Sequence, residues 1–165
     1  MTQRNYTKSI LLATIVLLSI GGWLLHFRIH SPENALHNYI PFISGILAAI
    51  VIPYLFCFKK TIHYAYVLNG FTVIIGTVVM AHYSLANLPD PVSIGDLIVK
   101  TTLGDIRLLW GKFFVGKALF DLEIFGYDKD KDRKGKWWRY PHMGWWWIHV
   151  VLVSAAYTAG AMLWK

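Results

Sequence analysis

Charge is what this chain has least of. Asp, Glu, Lys and Arg together make up 15% of its 165 residues, against about 25% in soluble domains. Acidic residues number only nine, and long stretches carry no charge at all. That scarcity argues against a soluble domain with a large core and for an integral membrane protein. Cysteine is nearly absent too: Cys57 stands alone, which excludes an internal disulfide. It lies in an apolar run and reads as a small buried hydrophobe. The chain also lacks H-E-x-x-H, C-x-x-C and any Gly-rich phosphate loop opening a helix, so the common zinc, dithiol and nucleotide signatures are missing.

What the chain has instead is apolar length. Hydrophobic residues reach 56% and the mean hydropathy is +0.45. A helix needs about 20 apolar residues to cross the hydrocarbon core. Residues 10–27, 39–58, 62–82 and 145–164 each meet that requirement. The first run has Arg4 and Lys8 before it but no A-x-A-like cleavage site, so a retained helix is expected rather than a cleaved leader. The fold class is therefore all-α: a single multi-pass membrane domain over 1–165, a bundle of four or five transmembrane helices.

The count turns on residues 108–125, "LLWGKFFVGKALFDLEIF". This segment is rich in Leu and Phe yet carries Lys112, Lys117, Asp121 and Glu123. A Lys or Asp at mid-membrane costs about 2.5–3.5 kcal/mol, while each Leu, Ile, Phe or Val returns about 0.3–0.6. The sum is near zero, and hydropathy alone does not decide. At 100° per residue, Lys117 and Asp121 lie on one side and Lys112 and Glu123 on the other, which is no clean amphipathic stripe.

Lys and Arg prefer cytoplasmic loops. Basic residues cluster at Arg4 and Lys8, at Lys59 and Lys60, and in 128–139, which holds six basic residues and three Asp. If 108–125 crosses, all three clusters fall on one side. The charge rule thus favours five spans in a cytoplasmic membrane, with the N-terminus inside. The net charge of +7 is then a matter of orientation and anionic lipid rather than nucleic acid. Arg28 and Arg139 are placed to hold lipid head groups.

Small residues four apart favour close helix packing in lipid. They occur at Ser44/Ala48, Gly45/Ala49, Thr72/Gly76, Ala155/Ala159 and Ala156/Gly160. Pro53 removes one backbone hydrogen bond and is expected to bend the second span. After the third span, Pro89 and Pro91 disfavour helix. Ser93 with Asp96 resembles a capping box for a short helix over 94–103.

Two sets of residues could carry chemistry. The first is histidine. His26, His30, His37 and His82 sort to the outer face and His63, His142 and His149 to the inner one. Neutral imidazole ligates haem iron and transition metals. Two axial ligands for a haem must come from facing helices at equal depth, and His26 with His82, or His63 with His149, meet that condition on paper. The competing reading is that these are interfacial rings within belts of Trp and Tyr that include Trp145, Trp146 and Trp147. The stretch "HFRIH" also resembles one histidine box of the membrane desaturases and hydroxylases. Those enzymes use several boxes, and this chain has one.

The second set is polar residues within spans: Asn69, and the Lys117/Asp121 pair one turn apart. An ionisable residue inside a span is a functional hypothesis by default; packing or mutual neutralisation is the plainer alternative. Two functional classes follow. One is a membrane subunit that binds haem b or a transition metal through His26, His30, His82, His63 and His149 and passes electrons. The other is a small transporter, channel or lipid-handling protein built on Lys117 and Asp121, or a non-catalytic subunit of a larger membrane complex. The bilayer, and either other membrane subunits or further copies of the chain, are the expected partners.

Overall fold

A computed structural model of the chain describes residues 2–29, 45–86, 93–95, 103–126 and 137–163. Those residues are helical, with no strand among them. The main elements are α1 (Gln3–Ile29), α2 (Leu47–Cys57), α3 (Ile62–Ala86), α4 (Leu103–Ile124) and α5 (Met143–Leu163). Three of them, α1, α3 and α5, are long and apolar enough to cross a membrane. The short helix expected over 94–103 and the loop of 128–139 lie mostly outside the described residues.

The segment that hydropathy left open forms α4, which starts five residues earlier than expected, at Leu103. It runs antiparallel to α1 over nearly its whole length. Leu25 approaches Gly104, Leu108 lies against Gly21 and Gly22, and Leu18 lies against Gly111. Glycines let the two backbones come close, which strengthens dispersion contacts between helices. The other flank of α4 meets α3, also antiparallel. Leu109 fills the space at Gly76, and Gly116 receives Asn69 and Phe56.

Charges tie one end of the bundle. Glu123, at the last turn of α4, accepts Arg4 and Lys8 of α1, each at 3.4 Å. Lys8 also donates to the carbonyl of Cys57 at 3.3 Å. That carbonyl is one of the last in α2, where a cation meets the negative end of the helix dipole. Lys59 and Lys60 follow in the turn to α3. Arg139 lies in the turn leading into α5, where His142 N–H bonds its carbonyl. The described basic residues singled out by the charge rule thus gather at one end. Cys57 is exposed there, not buried as its apolar surroundings suggested; it is the last residue of α2, and its thiol donates to the Pro53 carbonyl at 3.4 Å.

At Pro53, where a bend is expected, the described backbone departs from the α-helix. The turn before it, Leu47–Val51, is a π-helix in which the Ile52 N–H reaches back to the Leu47 carbonyl. A proline has no N–H to close an α-helical bond, and the wider turn accommodates that gap. Ser19 of α1 steadies the same turn by donating to the Ala48 carbonyl at 3.0 Å.

The core near the basic end is aromatic. Tyr66 stacks on Phe120 with centroids 4.4 Å apart, and Trp146 meets Tyr66 and Phe113 edge-on at 5.3 Å. The Trp146 indole N–H donates to the Tyr66 hydroxyl at 2.7 Å, and that hydroxyl donates to the Pro141 carbonyl at 3.2 Å. Trp146 is 1% exposed while Trp147 is 49% exposed. The tryptophan run is therefore split between core and surface rather than belonging wholly to an interfacial belt. The Trp146 ring sits in a notch at Gly70, where any Cβ would fall inside it. The small-residue stripe of α5, by contrast, meets nothing: Gly160 has open space around it among the described residues.

Gly70→Ala should therefore lower stability by about 1–3 kcal/mol through overpacking. Gly160→Ala should stay within about 0.5 kcal/mol of the parent. Thermal unfolding in detergent reads both, and equal effects would show that the Trp146 notch does not lock α5 to α3.

Candidate functional site

Four charges made residues 108–125 costly as a span, and three of them are neutralised within the fold. Glu123 is held by Arg4 and Lys8. Lys117 and Asp121 join across one helical turn at 2.6 Å, both partly buried. The fourth, Lys112, is 1% exposed, and its ammonium nitrogen has no hydrogen-bond partner among the described residues. This is the most unusual group in the bundle. The sequence drew attention to Lys117 and Asp121 because they form an i,i+4 pair; the structure moves that attention one turn and a half back, to the lysine without such a pair.

Asn69 of α3 is its neighbour. Asn69 is fully buried and donates through Nδ2 to the Lys112 backbone carbonyl at 3.5 Å. Its Oδ1 accepts nothing among the described residues. Asn69 thus serves as an interhelical link, one of the two roles its position suggested, while keeping an acceptor free. Residues four apart share a helix face, so Lys112 lies on the face of Gly116, where α2 and α3 both meet α4. The Leu18 contact at Gly111 puts Lys112 at the level of Ser19 and of the π-turn it holds. Asp105, also buried at 1% exposure, lies two turns toward the start of α4 on the same face. As an acid in the first turn it complements the helix dipole. The Lys112 ammonium and the Asn69 Oδ1 are thus each buried and unspent among the described residues, on two helices joined at the Lys112 backbone. Neither Asp105 nor the Lys112 environment was singled out from sequence. The only available signal was a lysine in an apolar run with no acid four residues away on either side.

The histidines are dispersed. His63 lies beside Phe120 and its Nδ1 is 3.0 Å from the Tyr140 hydroxyl. Burial pushes the Tyr140 phenol up to about 12, so the phenol keeps its proton, and the His63 tautomer sets which of the two groups donates. His149 bonds the Trp145 carbonyl through Nδ1 at 2.7 Å and leans on Trp145 and Phe71. A carbonyl only accepts, so His149 carries its proton on Nδ1 and leaves Nε2 as an acceptor. The two rings do not share a level. His149 meets α3 at Phe71, eight positions beyond His63, which is about 12 Å of helix rise. His82 packs edge-on against Tyr157 at 5.3 Å, at the far end of the bundle. His26 and Arg28 belong to α1, but their side chains, and all of His30 and His37, lie outside the described residues. Arg139 is exposed at the basic end. Among the described residues no three His, Cys, Asp or Glu side chains gather to hold a metal ion.

The Lys117–Asp121 pair acts as mutual neutralisation. Lys117→Met should cost about 1–3 kcal/mol by removing the ion pair it makes with a partly buried carboxylate. In an Asp121→Asn background the same change should cost much less. A double-mutant cycle on denaturation midpoints reads the coupling, and strictly additive effects would sink the neutralising role.

No protein-family model, curated protein or solved structure matches this chain, so its function rests on the physical reading of the site.

Proposed function

We propose that the protein is a small membrane transport protein with an interior path past Lys112, which serves as the binding point for a proton or a small anion. The single observation that carries this reading is the buried ammonium without a partner in α4. An unpaired charge in an apolar interior is costly, and replacing such a group by an apolar one commonly leaves a fold as stable or more so. Stability is therefore a poor reason for a lysine at this position, and a role in moving charge is a good one. Asn69, linked to the Lys112 backbone, adds a buried acceptor on the neighbouring helix, and the π-turn that Ser19 contacts departs from the regular backbone at the same level. π-Turns within helices recur at functional sites.

In this reading α4 crosses the membrane as the fourth of five spans. Its support is its antiparallel course along α1, which is apolar enough to span, and the gathering of Arg4, Lys8, Lys59, Lys60 and Arg139 at one end. That end faces the cytoplasm by the positive-inside rule. The apolar face of α5, with Val151, Leu152, Met162 and Leu163 exposed, then faces lipid or a neighbouring subunit.

A second reading keeps a redox role. His149 is held with Nε2 as an acceptor, the form in which imidazole ligates haem iron or a transition metal. A bis-histidine haem with His63 fits poorly, given their different levels. The partner would have to come from elsewhere, and a reduced-minus-oxidised absorption spectrum without a b-type band removes this reading.

Three measurements test the transport reading. In liposomes loaded with a pH-sensitive dye, the parent protein should carry protons or chloride down an imposed gradient. Lys112→Met should lower the initial rate by about tenfold or more with no loss of thermal stability, while Lys117→Met keeps the rate near the parent's. A Lys112→Met variant that transports as well as the parent, or a parent that moves neither ion, would end this proposal. A reporter fused after Lys165 should signal from the outside; a cytoplasmic signal is incompatible with five spans.

A further inference from the structure

A second feature lies away from Lys112, between α3, α4 and α5 in the half of the bundle far from the basic end. It is a cleft of about 260 Å³ lined by Thr77, His82, Trp110, Ser154 and Tyr157 together with aliphatic side chains. Three properties define what it can take. Among the described residues no Lys, Arg, Asp or Glu lines it, so they offer a phosphate or carboxylate head no ion-pair partner. One wall is aromatic: Trp110 lines it, and the indole is braced from outside the lining by Trp147, with centroids 5.9 Å apart and 21° between planes. The size lies just below the usual 300–1,000 Å³ of small-molecule pockets, enough for a ring-sized head group.

The third property is the Thr77 hydroxyl. Hydroxyls in these helices normally close onto the carbonyl one turn back, as Thr14, Thr72 and Thr158 do at 2.7–2.9 Å. The Thr77 oxygen is buried and makes no hydrogen bond among the described residues. His82 and Tyr157, edge-to-face at 5.3 Å, add a ring N–H and a phenol that are likewise not engaged in hydrogen bonds. The cleft therefore offers a flat aromatic wall and several hydrogen-bond donors with no charge. His82 and Thr158 are exposed beside it, so in a five-span bundle its mouth opens toward lipid.

We propose that this cleft binds the head ring of a quinone. A quinone is neutral and planar, its ring carbonyls accept hydrogen bonds, and it reaches the site from the bilayer. The ring lies against Trp110, a carbonyl accepts from the Thr77 hydroxyl, and the His82–Tyr157 edge meets the other end. The proposal concerns binding alone and stands independently of Lys112, which is not part of the cleft.

The test uses the purified full-length protein in detergent and a short-tailed quinone, decylubiquinone, with tryptophan fluorescence as the readout, since quinones quench indole. Saturable quenching is expected. Ser154→Leu, which fills the cleft from its rim, should weaken binding by about tenfold or more. The nearly isosteric Thr77→Val should weaken it by about three- to tenfold. Both should unfold at the parent's temperature. Quenching that rises linearly without saturation, that is unchanged by Ser154→Leu, or that decanol or phosphatidylcholine reverses at equal concentration would overturn the proposal. Such results would assign the signal to partition of the tail or to ordinary lipid in the cleft.

Discussion

The antiparallel contact between α1 and α4 is the interaction on which the other placements depend. α4 carries four charges in its last thirteen residues, and lipid alone would not solvate them. Alongside α1 it gains a glycine-lined seam, with Gly21 and Gly22 on one side and Gly104 and Gly111 on the other. It also gains two cations, Arg4 and Lys8, at the height where Glu123 needs them. Once α4 is seated, its second flank fixes α3 through Leu109 and Asn69. α2 closes the junction with Phe56 at Gly116. The most charged of the long helices is thereby seated between α1 and α3.

The aromatic core extends that arrangement to α5. In lipid, apolar faces gain little from one another, since the tails are as apolar as the side chains. Shape and hydrogen bonding must then hold a helix in register. Trp146 supplies both: its ring fills the notch at Gly70, and its N–H begins the chain through Tyr66 to the Pro141 carbonyl. That chain ends in the turn leading into α5, so the same residue fixes the helix and its entry. Further along α5, His149 on Phe71, Trp147 on Trp110 and Tyr157 on His82 add ring contacts to α3 and α4.

Helix type and approximate extent were legible because apolar length is a one-dimensional property. The effect of Pro53 was legible because it follows from a missing N–H. Two other aspects were not. The charged helix could not be placed by summing transfer energies, because the terms that decide it are a partner 119 residues away and a glycine seam split between α1 and α4. The same limit hid Lys112. An i,i+4 pair announces itself in the sequence, and Lys117 with Asp121 did so, yet pairing is what makes those charges unremarkable. A lysine is conspicuous only by what fails to surround it, and that is visible only once the neighbouring helices are in place. The tryptophan run shows the same limit: Trp146 and Trp147 are adjacent, yet 100° of helix rotation sends one to the core and the other outward.

The two polar features of the interior differ in kind, and the difference follows from where each sits. Lys112 lies where four helices converge at the level of the π-turn, sealed from the surface, so whatever meets its ammonium must pass along the bundle or arrive as water. The Thr77 cleft lies where α3, α4 and α5 diverge, and its exposed rim gives it a lateral mouth. At the sealed site the ammonium meets no hydrogen-bonding partner among the described residues, which makes its burial costly. Neutral donors suffice at the open site because lipid-soluble molecules bring no charge to neutralise. α4 borders both, with Lys112 and Trp110 less than one turn apart. A ligand pressing on Trp110 therefore bears on the helix that carries the buried lysine, and the glycine contacts on its other flank leave that helix little freedom to tilt away without disturbing α1.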